Sequence, residues 1–139
     1  MEVKIVEKLK NTFNGLNAEN LNLIYEVYDT DLKFQDPVHR ISGIEDYFQY
    51  LKRMYQDTKY SHFDFDEDFY KPGEAVLIWV MHIEHPKLNG GKRYATPGVS
   101  HLKFKDKIYY HRDFFDTSEF LFERVPLLGS IPRWIKSRI

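Results

Sequence analysis

The stretch Leu32–Gly43, which reads LKFQDPVHRISG, decides how the rest of the chain is interpreted. Phe34, Asp36 and Val38 alternate with polar residues, as in a half-buried strand, and Pro37 limits how far that strand extends. Asp36 therefore lies at a strand end, on the same face as Phe34. A carboxylate on an apolar face either binds backbone groups of a turn, as Asp-Pro pairs do, or transfers protons. This stretch alone leaves both interpretations open.

Length and composition predict one soluble domain with an aromatic-rich interior. The 139 residues suffice for a single core over 1–139, and aromatic residues make up 17% of them. The formal net charge of −1 provides no field to attract nucleic acid, so no nucleic-acid partner is expected. The chain has no Cys, which rules out disulfides and thiolate zinc sites. Its mixed N-terminus is unlike a signal peptide, and we expect a cytoplasmic protein.

Three helices are predicted around the opening stretch. Apolar residues at spacings of three and four predict a helix over 3–15 and a second one over 17–29, with Asn17 as its N-cap. The short connection between them predicts a helical hairpin. A Ser-x-x-Glu capping box then opens a long helix over 42–58.

Four longer strands are predicted to follow. Alternation of aromatic and acidic residues predicts a strand over 60–71, and residues 74–85 are apolar on both faces, as in a central strand. Strands are also predicted over 92–105, bent or bulged at Pro97-Gly98, and over 107–116. The elements together predict an α+β fold, in which a curved, mostly antiparallel sheet wraps around the long helix and leaves a cone-shaped cavity.

The last strand divides its residues between two faces. Tyr109, His111, Asp113 and Phe115 share one face, which places ionisable groups together in the predicted cavity. The other face carries Tyr110, Arg112 and Phe114, the candidates for a homodimer surface. After a short helical stretch, the basic and apolar tail over 126–139 is expected to fold on its own domain or on a neighbouring subunit rather than contact a membrane.

Several short motifs resemble one known superfamily when their order and spacing are taken together. They are Leu16-Asn17-Ala18, Asp36-Pro37-Val38, Ser42-Gly43 and His101-Leu102-Lys103-Phe104. From about 3 to 122 the chain resembles the nuclear transport factor 2-like superfamily, in particular its SnoaL-like and ketosteroid-isomerase-like branch, which has a cystatin-like cone fold.

The ketosteroid isomerase resemblance implies that Asp36 is a general base. In that family a Tyr hydroxyl and a protonated Asp stabilise the enolate. Their positions hold Thr12, or its neighbour Phe13, and Ser100 in this chain. The altered oxyanion hole implies a poor isomerase.

A second branch, the limonene-epoxide-hydrolase group, is similar in the segment His111–Asp116. That resemblance implies a catalytic role for Asp113. The partner Arg and Asp of that group fall at Val80 and His82, and its water-holding Tyr and Asn fall at Phe34 and Asp36. The known triad of that group is therefore incomplete here.

The sequence thus leaves three hypotheses: an acid–base enzyme acting on an apolar carbonyl, polyketide-like or epoxide compound, a non-catalytic pocket for a small apolar molecule, and a dimeric interaction domain. No metal or cofactor is predicted, because no short-spaced ligand pair is present. The catalytic candidates are Asp36, Asp113 and His82. The ligand-binding candidates are Thr12, Phe34, Tyr47, Ser100, Tyr109, His111 and Phe115.

Overall fold

The computed structural model describes residues 3–116 and 134–138, and within them one mixed sheet packs against two α-helices. The helices are α1 (Lys4–Gly15) and α2 (Ile44–Tyr55). The strands are β1 (Tyr28–Gln35), β2 (Arg40–Ser42), β3 (Tyr60–Lys71), β4 (Glu74–Glu84), β5 (Tyr94–Phe104) and β6 (Ile108–Phe114). Their order across the sheet is β2-β1-β6-β5-β4-β3, and every pair is antiparallel except β1 with β6. The predicted α+β fold with a curved, mostly antiparallel sheet is confirmed.

Helix α2 lies on the concave face of the sheet and closes the core. Tyr47, Leu51 and Tyr55 are buried along one side of it, at the spacing that the sequence pattern predicted, and Tyr50 is buried as well. The predicted capping box is wrong. Gly43 occupies the N-cap position with φ of +91°, a conformation that suits glycine, and no side chain caps the helix there.

The second predicted helix is mostly wrong. Residues Leu21–Glu26 form a short 3₁₀ helix, and the chain enters β1 at Tyr28 instead of continuing to Asp29 as a helix. The physical reason is the sequence pattern of this segment. From Tyr28 onward, charged residues alternate with the other residues, which suits a strand with one buried face. Tyr28 thereby becomes a buried strand residue, with 1% of its surface exposed.

The predicted bulge at Pro97-Gly98 is also wrong, since β4 and β5 pair in continuous register past both residues. Gly98 instead makes room for the indole of Trp79, which lies opposite it. A Cβ at Gly98 would lie 2.2 Å from the Trp79 ring, a separation that real Cβ atoms do not show. The glycine is therefore a packing requirement.

An irregularity between β5 and β6 changes which residues of β6 face the core. The register shifts between Lys103 and Phe104, next to the turn. Ile108 is fully buried as a result, whereas Tyr109 is 37% exposed. The predicted place of Tyr109 in the cavity is wrong, because the shift breaks the alternation that would align it with His111.

Much of the C-terminal region that carried predictions lies outside the described residues. The predicted short helix after Asp116 and the tail segment 126–133 fall there. Trp134 and Ile135 are described and are more than half exposed. In the described part of the chain, no helix has the length and hydropathy needed to cross a membrane.

Candidate functional site

A cavity of about 270 Å³ lies between α2 and the concave face of the sheet. A cavity of about 150 Å³ takes up benzene, so this one has room for a compound of about two fused rings. Aromatic and aliphatic side chains form most of its wall, and the carboxyl groups of Asp36 and Asp113 both reach it. Its lining is Phe13, Phe34, Asp36, Val38, His39, Tyr47, Tyr50, Leu51, Met54, Tyr55, Thr58, Ser61, Phe63, Trp79, Met81, Ile83, His85, Leu88, Asp113 and Phe115.

Asp113 on β6 is held by one of its two oxygens. Its Oδ1 accepts a hydrogen bond from the Ser100 hydroxyl at 2.5 Å and lies 2.7 Å from His111 Nε2. Ser100 and Asp113 are register partners on β5 and β6, which places the hydroxyl beside the carboxylate. Among the described residues, Oδ2 has no hydrogen-bond partner. Asp113, which lines the cavity, therefore has one acceptor atom that no described residue occupies.

The second ring nitrogen of His111 is held by the buried Tyr28, which in turn packs against Tyr47. Its Nδ1 lies 2.7 Å from the hydroxyl of Tyr28, on the neighbouring parallel strand β1. Burial raises the pKa of Tyr28 well above its usual value, while a hydrogen bond from Tyr47 acts in the opposite direction. Burial also raises the pKa of Tyr47. Both tyrosines therefore stay neutral at physiological pH.

The hydrogen bonds of this network have one consistent direction. The Tyr28 hydroxyl lies 2.7 Å from His111 Nδ1 and can donate its hydrogen there. We assign the remaining imidazole proton to Nε2, which then donates to Asp113. Trp79 Nε1 donates to the Ser100 oxygen at 2.9 Å, and Ser100 passes its hydrogen to Asp113. All of these donors are directed towards one carboxylate.

Asp36 lies at the end of β1 in a different environment. Its Oδ1 accepts the backbone N–H groups of Val38 and His39 at 2.8 and 2.6 Å, and its Oδ2 accepts the Tyr50 hydroxyl at 3.0 Å. The His39 imidazole adds a further contact at 3.1 Å. Asp36 thus closes an Asp-Pro turn, one of the two interpretations that the sequence left open, and both of its oxygens are occupied.

His82 lies on the outer face of the sheet and not with the other two catalytic candidates. Its Nε2 contacts Asp64 at 2.8 Å, and its side chain is 37% exposed. The hydrogen bond from His82 lowers the pKa of Asp64. The predicted convergence of His82 with Asp36 and Asp113 is wrong, because β4 is apolar on both faces and its sequence does not show which face is buried.

The other predicted residues divide between the cavity wall and its surroundings. Phe34, Tyr47 and Phe115 line the cavity. Ser100 and His111 line a small adjoining cavity of about 40 Å³, which also contacts Asp113. Thr12 lines neither cavity, whereas Phe13 lines both. These placements are structural, and the roles of the residues remain predictions.

Sequence reasoning missed Tyr28, Tyr50 and Trp79 as members of the site. For Tyr28 a signal was available, since polar and apolar residues alternate from it up to Phe34. For Tyr50 and Trp79 the sequence shows only an aromatic residue on a helix or a strand. No three His, Asp or Glu side chains in residues 3–116 and 134–138 are grouped as metal ligands.

Comparison with known proteins identifies a domain family and a shared fold. The sequence model of the SnoaL-like domain matches residues 9–111. No curated protein matches the chain. A protein with a ketosteroid isomerase-like fold from Catenulispora acidiphila, solved in complex with trimethylamine, has a TM-score of 0.74 at 15% identity, covering 87% of this chain and 92% of that one.

Two further structures show the same likeness. An NTF2-like protein of unknown function from Burkholderia pseudomallei has a TM-score of 0.72 at 14% identity, covering 84% of this chain and 91% of its own. A proposed SnoaL-like polyketide cyclase from Shewanella denitrificans has a TM-score of 0.70 at 20% identity, covering 81% of this chain and 88% of its own. At these identities the likeness shows the fold alone.

Proposed function

We propose that this chain, which belongs to the SnoaL-like domain family, binds a small molecule. The molecule is mostly apolar and lies in the cavity between α2 and the sheet. Asp113 is the polar anchor of that molecule. The observation that carries the proposal is the half-occupied carboxylate of Asp113, which lines the aromatic cavity: Oδ1 is fixed by Ser100 and His111, while Oδ2 has no hydrogen-bond partner among the described residues. Sites for small molecules combine an apolar wall with a few oriented polar groups in this way.

The apolar wall supplies most of the affinity in this proposal. Burying apolar surface contributes about 25 cal/mol per Å², so a compound of two rings gains several kcal/mol from the rings around it. A single hydrogen bond to Asp113 contributes about 1.5–3 kcal/mol when one partner is charged. The wall therefore selects the shape of the ligand, and Asp113 selects its polar group.

A ligand screen by thermal shift tests the proposal. We expect compounds of one or two rings to raise the unfolding temperature of the wild type, because a ligand at a hundred times its Kd stabilises the fold by about 2.7 kcal/mol. Asp113→Asn should weaken the binding of the same compounds at least tenfold. Asp64→Asn, a carboxylate change on the outer face, is the matched control and should bind like the wild type. A broad screen without any stabilising compound would refute the proposal.

General-base catalysis is the second candidate function, and the orientation of Asp113 supports it. A carboxylate fixed through Oδ1 presents Oδ2 to a substrate at low reorganisation cost, which is what proton abstraction requires. Turnover separates the two functions. If Asp113→Asn abolishes conversion of a compound that it still binds, the protein is an enzyme. If compounds bind without conversion by the wild type, the pocket only binds.

We also propose that the protein forms a homodimer through the outer face of the sheet. Phe114 is 45% exposed there and lies beside the Arg112 guanidinium, 4.6 Å from its ring centroid. An exposed aromatic ring with a neighbouring Arg is typical of interface centres. Sedimentation should show a dimer that Phe114→Ser weakens, and a strict monomer at high protein concentration would refute this proposal.

A further inference from the structure

The cavity has a one-sided charge distribution. Two carboxylates, Asp36 and Asp113, reach its wall, and no Lys or Arg side chain of the described residues lines it. The two His side chains on the wall, His39 and His85, belong to the loops after β1 and β4. A low-dielectric cavity with only acidic charges attracts cations and repels anions.

Asp113 also shares both cavities with several aromatic rings. Phe13, Tyr47, Phe63 and Trp79 line both the main cavity and the small cavity that adjoins it, and Asp113 does so as well. The faces of aromatic rings carry negative potential and attract cations, most strongly when the site is desolvated. The rings and the carboxylate therefore favour the same sign of charge.

The hydrogen-bond donors around Asp113 are already used. Trp79 Nε1 donates to Ser100, and the Ser100 and His111 hydrogens are directed to Asp113 Oδ1. Trp79, Ser100 and His111 thus have no free hydrogen to offer a ligand, whereas Asp113 has an open acceptor. A carbonyl or carboxylate group placed there would lose its hydrogen bonds to water without replacement. A ligand group that donates hydrogen bonds matches the site.

Resting on the proposed function, we infer that the ligand of this cavity is an organic cation, a protonated amine carried on about one or two rings. Its N–H group donates to Asp113 Oδ2, and its positively charged carbon and nitrogen substituents lie against the faces of the surrounding rings. A neutral alcohol of the same shape retains the hydrogen bond but loses the charge, and an acid of the same shape meets repulsion from both carboxylates.

Three probes of one shape test this inference on the wild-type protein: 2-aminoindane, 2-indanol and indane-2-carboxylate. By calorimetry at neutral pH we expect the amine to bind at least tenfold more tightly than the alcohol, and the carboxylate not to bind. Asp113→Asn should bring the amine and the alcohol to similar affinities. Asp64→Asn should preserve the wild-type order, since its carboxylate lies on the opposite face.

The probes also separate failure of this inference from failure of the proposed function. If the alcohol or the acid binds as well as the amine, the cavity is a small-molecule site and the cation inference is wrong. The inference is equally wrong if the amine does not bind while the broad screen yields neutral ligands. If neither the probes nor the screen yields any ligand, the proposed function itself fails. The order of the three affinities is measured on the wild type, so the test does not depend on folding of the Asp113 variant.

Discussion

The turn after β1 and the strand β6 each bring a carboxylate to the same cavity, and the two carboxylates are bound differently. Asp36 accepts two backbone N–H groups and a tyrosine hydroxyl through both oxygens. Asp113 accepts through Oδ1 alone. The side chain of Asp36 is 4% exposed and that of Asp113 is 21% exposed. Occupied oxygens indicate a structural group, and an open oxygen indicates a group available to a ligand.

This difference shows that the covalent neighbours of a carboxylate determine its role as strongly as its burial does. Asp36 precedes Pro37 and turns back on its own backbone, so its Oδ1 is satisfied by N–H groups within three residues. Asp113 lies within a strand, where the backbone N–H groups pair with the next strand, so only side chains can satisfy it.

The largest expected effect is on stability, from Asp36→Ala. The substitution leaves the buried Tyr50 hydroxyl and the part-buried N–H groups of Val38 and His39 without their acceptor. A buried group left unsatisfied costs about 1–3 kcal/mol, and a part-buried one costs less because water can reach it. We expect a loss of about 3 kcal/mol in the free energy of unfolding, measured by denaturant titration. Asp113→Asn should cost about 1 kcal/mol or less, because an amide oxygen can still accept from Ser100. Equal losses in the two variants would contradict the contrast.

Gly98→Ala should disturb the Asp113 network while sparing the Asp36 turn. The new Cβ would overlap the Trp79 ring, so the indole must move and weaken its bond to Ser100. We expect a loss of about 1–3 kcal/mol in unfolding free energy, together with weaker binding of any ligand that needs Asp113. The matched control is Gly15→Ala, where nothing lies within 4 Å of the added carbon. It should change stability by less than about 1 kcal/mol. A fully stable Gly98→Ala protein would show that the close contact is not required.

High pH should weaken both regions through their buried tyrosines. Burial raises the pKa of Tyr28, which supports His111, and of Tyr50, which supports Asp36. The unfolded chain ionises first, at about pH 10. The tyrosines therefore make their full contribution to the free energy of unfolding below that pH. Above it, each such tyrosine lowers the free energy of unfolding by about 1.4 kcal/mol per pH unit. Denaturant titrations from about pH 8 to about pH 11 should show this slope.

Single substitutions show which residues cause the fall of the unfolding free energy at high pH. Tyr28→Phe and Tyr50→Phe should each make the slope less steep by the contribution of one tyrosine. Tyr109→Phe, which removes an exposed hydroxyl on β6, should leave it unchanged. An alkaline limb that is the same in all three variants would mean that the tyrosines of the network are not responsible for it.

The smallest effect is expected on the outer face, where Asp64 pairs with His82 in the same chemistry as Asp113 with His111. The hydrogen bond from His82 lowers the pKa of Asp64, so the pair stabilises the fold above the ordinary pKa of an Asp and loses that contribution as the pH falls through the lowered value. Asp64→Asn should match the wild type in ligand binding at neutral pH, and its unfolding temperature should fall less steeply with acid below about pH 4. If the unfolding temperatures of the variant and the wild type fell equally with acid, solvent would screen the pair completely.

The two-residue period of the strands allowed much of the site to be predicted. It placed Phe34 and Asp36 on one face, and it placed His111, Asp113 and Phe115 together on the last strand, where the structure has them against the cavities. Such a prediction succeeds because one face of each of these strands is buried and the other is not. The alternation in sequence then reports the geometry directly.

The prediction failed where the two-residue period was interrupted, or where both faces of a strand were apolar. The register shift beside Phe104 turned Tyr109 outward, and an irregular pairing of this kind has no marker in the residues around the turn. His82 lies on a strand with apolar residues on both faces, so its direction was undetermined. The partners of Asp36 and Asp113 could not be predicted, because Tyr50 and Trp79 come from elements whose packing against the strands is decided by tertiary contacts.

The parallel pairing of β1 with β6 has a kinetic consequence. It joins residues from distant parts of the sequence, and the hydrogen bond between Tyr28 and His111 spans 83 residues. Closing so long a loop costs entropy before any contact compensates for it, so non-local pairings of this kind form slowly. During synthesis, His111 and Asp113 must leave the ribosome before Tyr28 has a partner. We therefore expect the proposed ligand site to be among the last parts of the protein to form, and ligand added during refolding to bind only after the slowest phase.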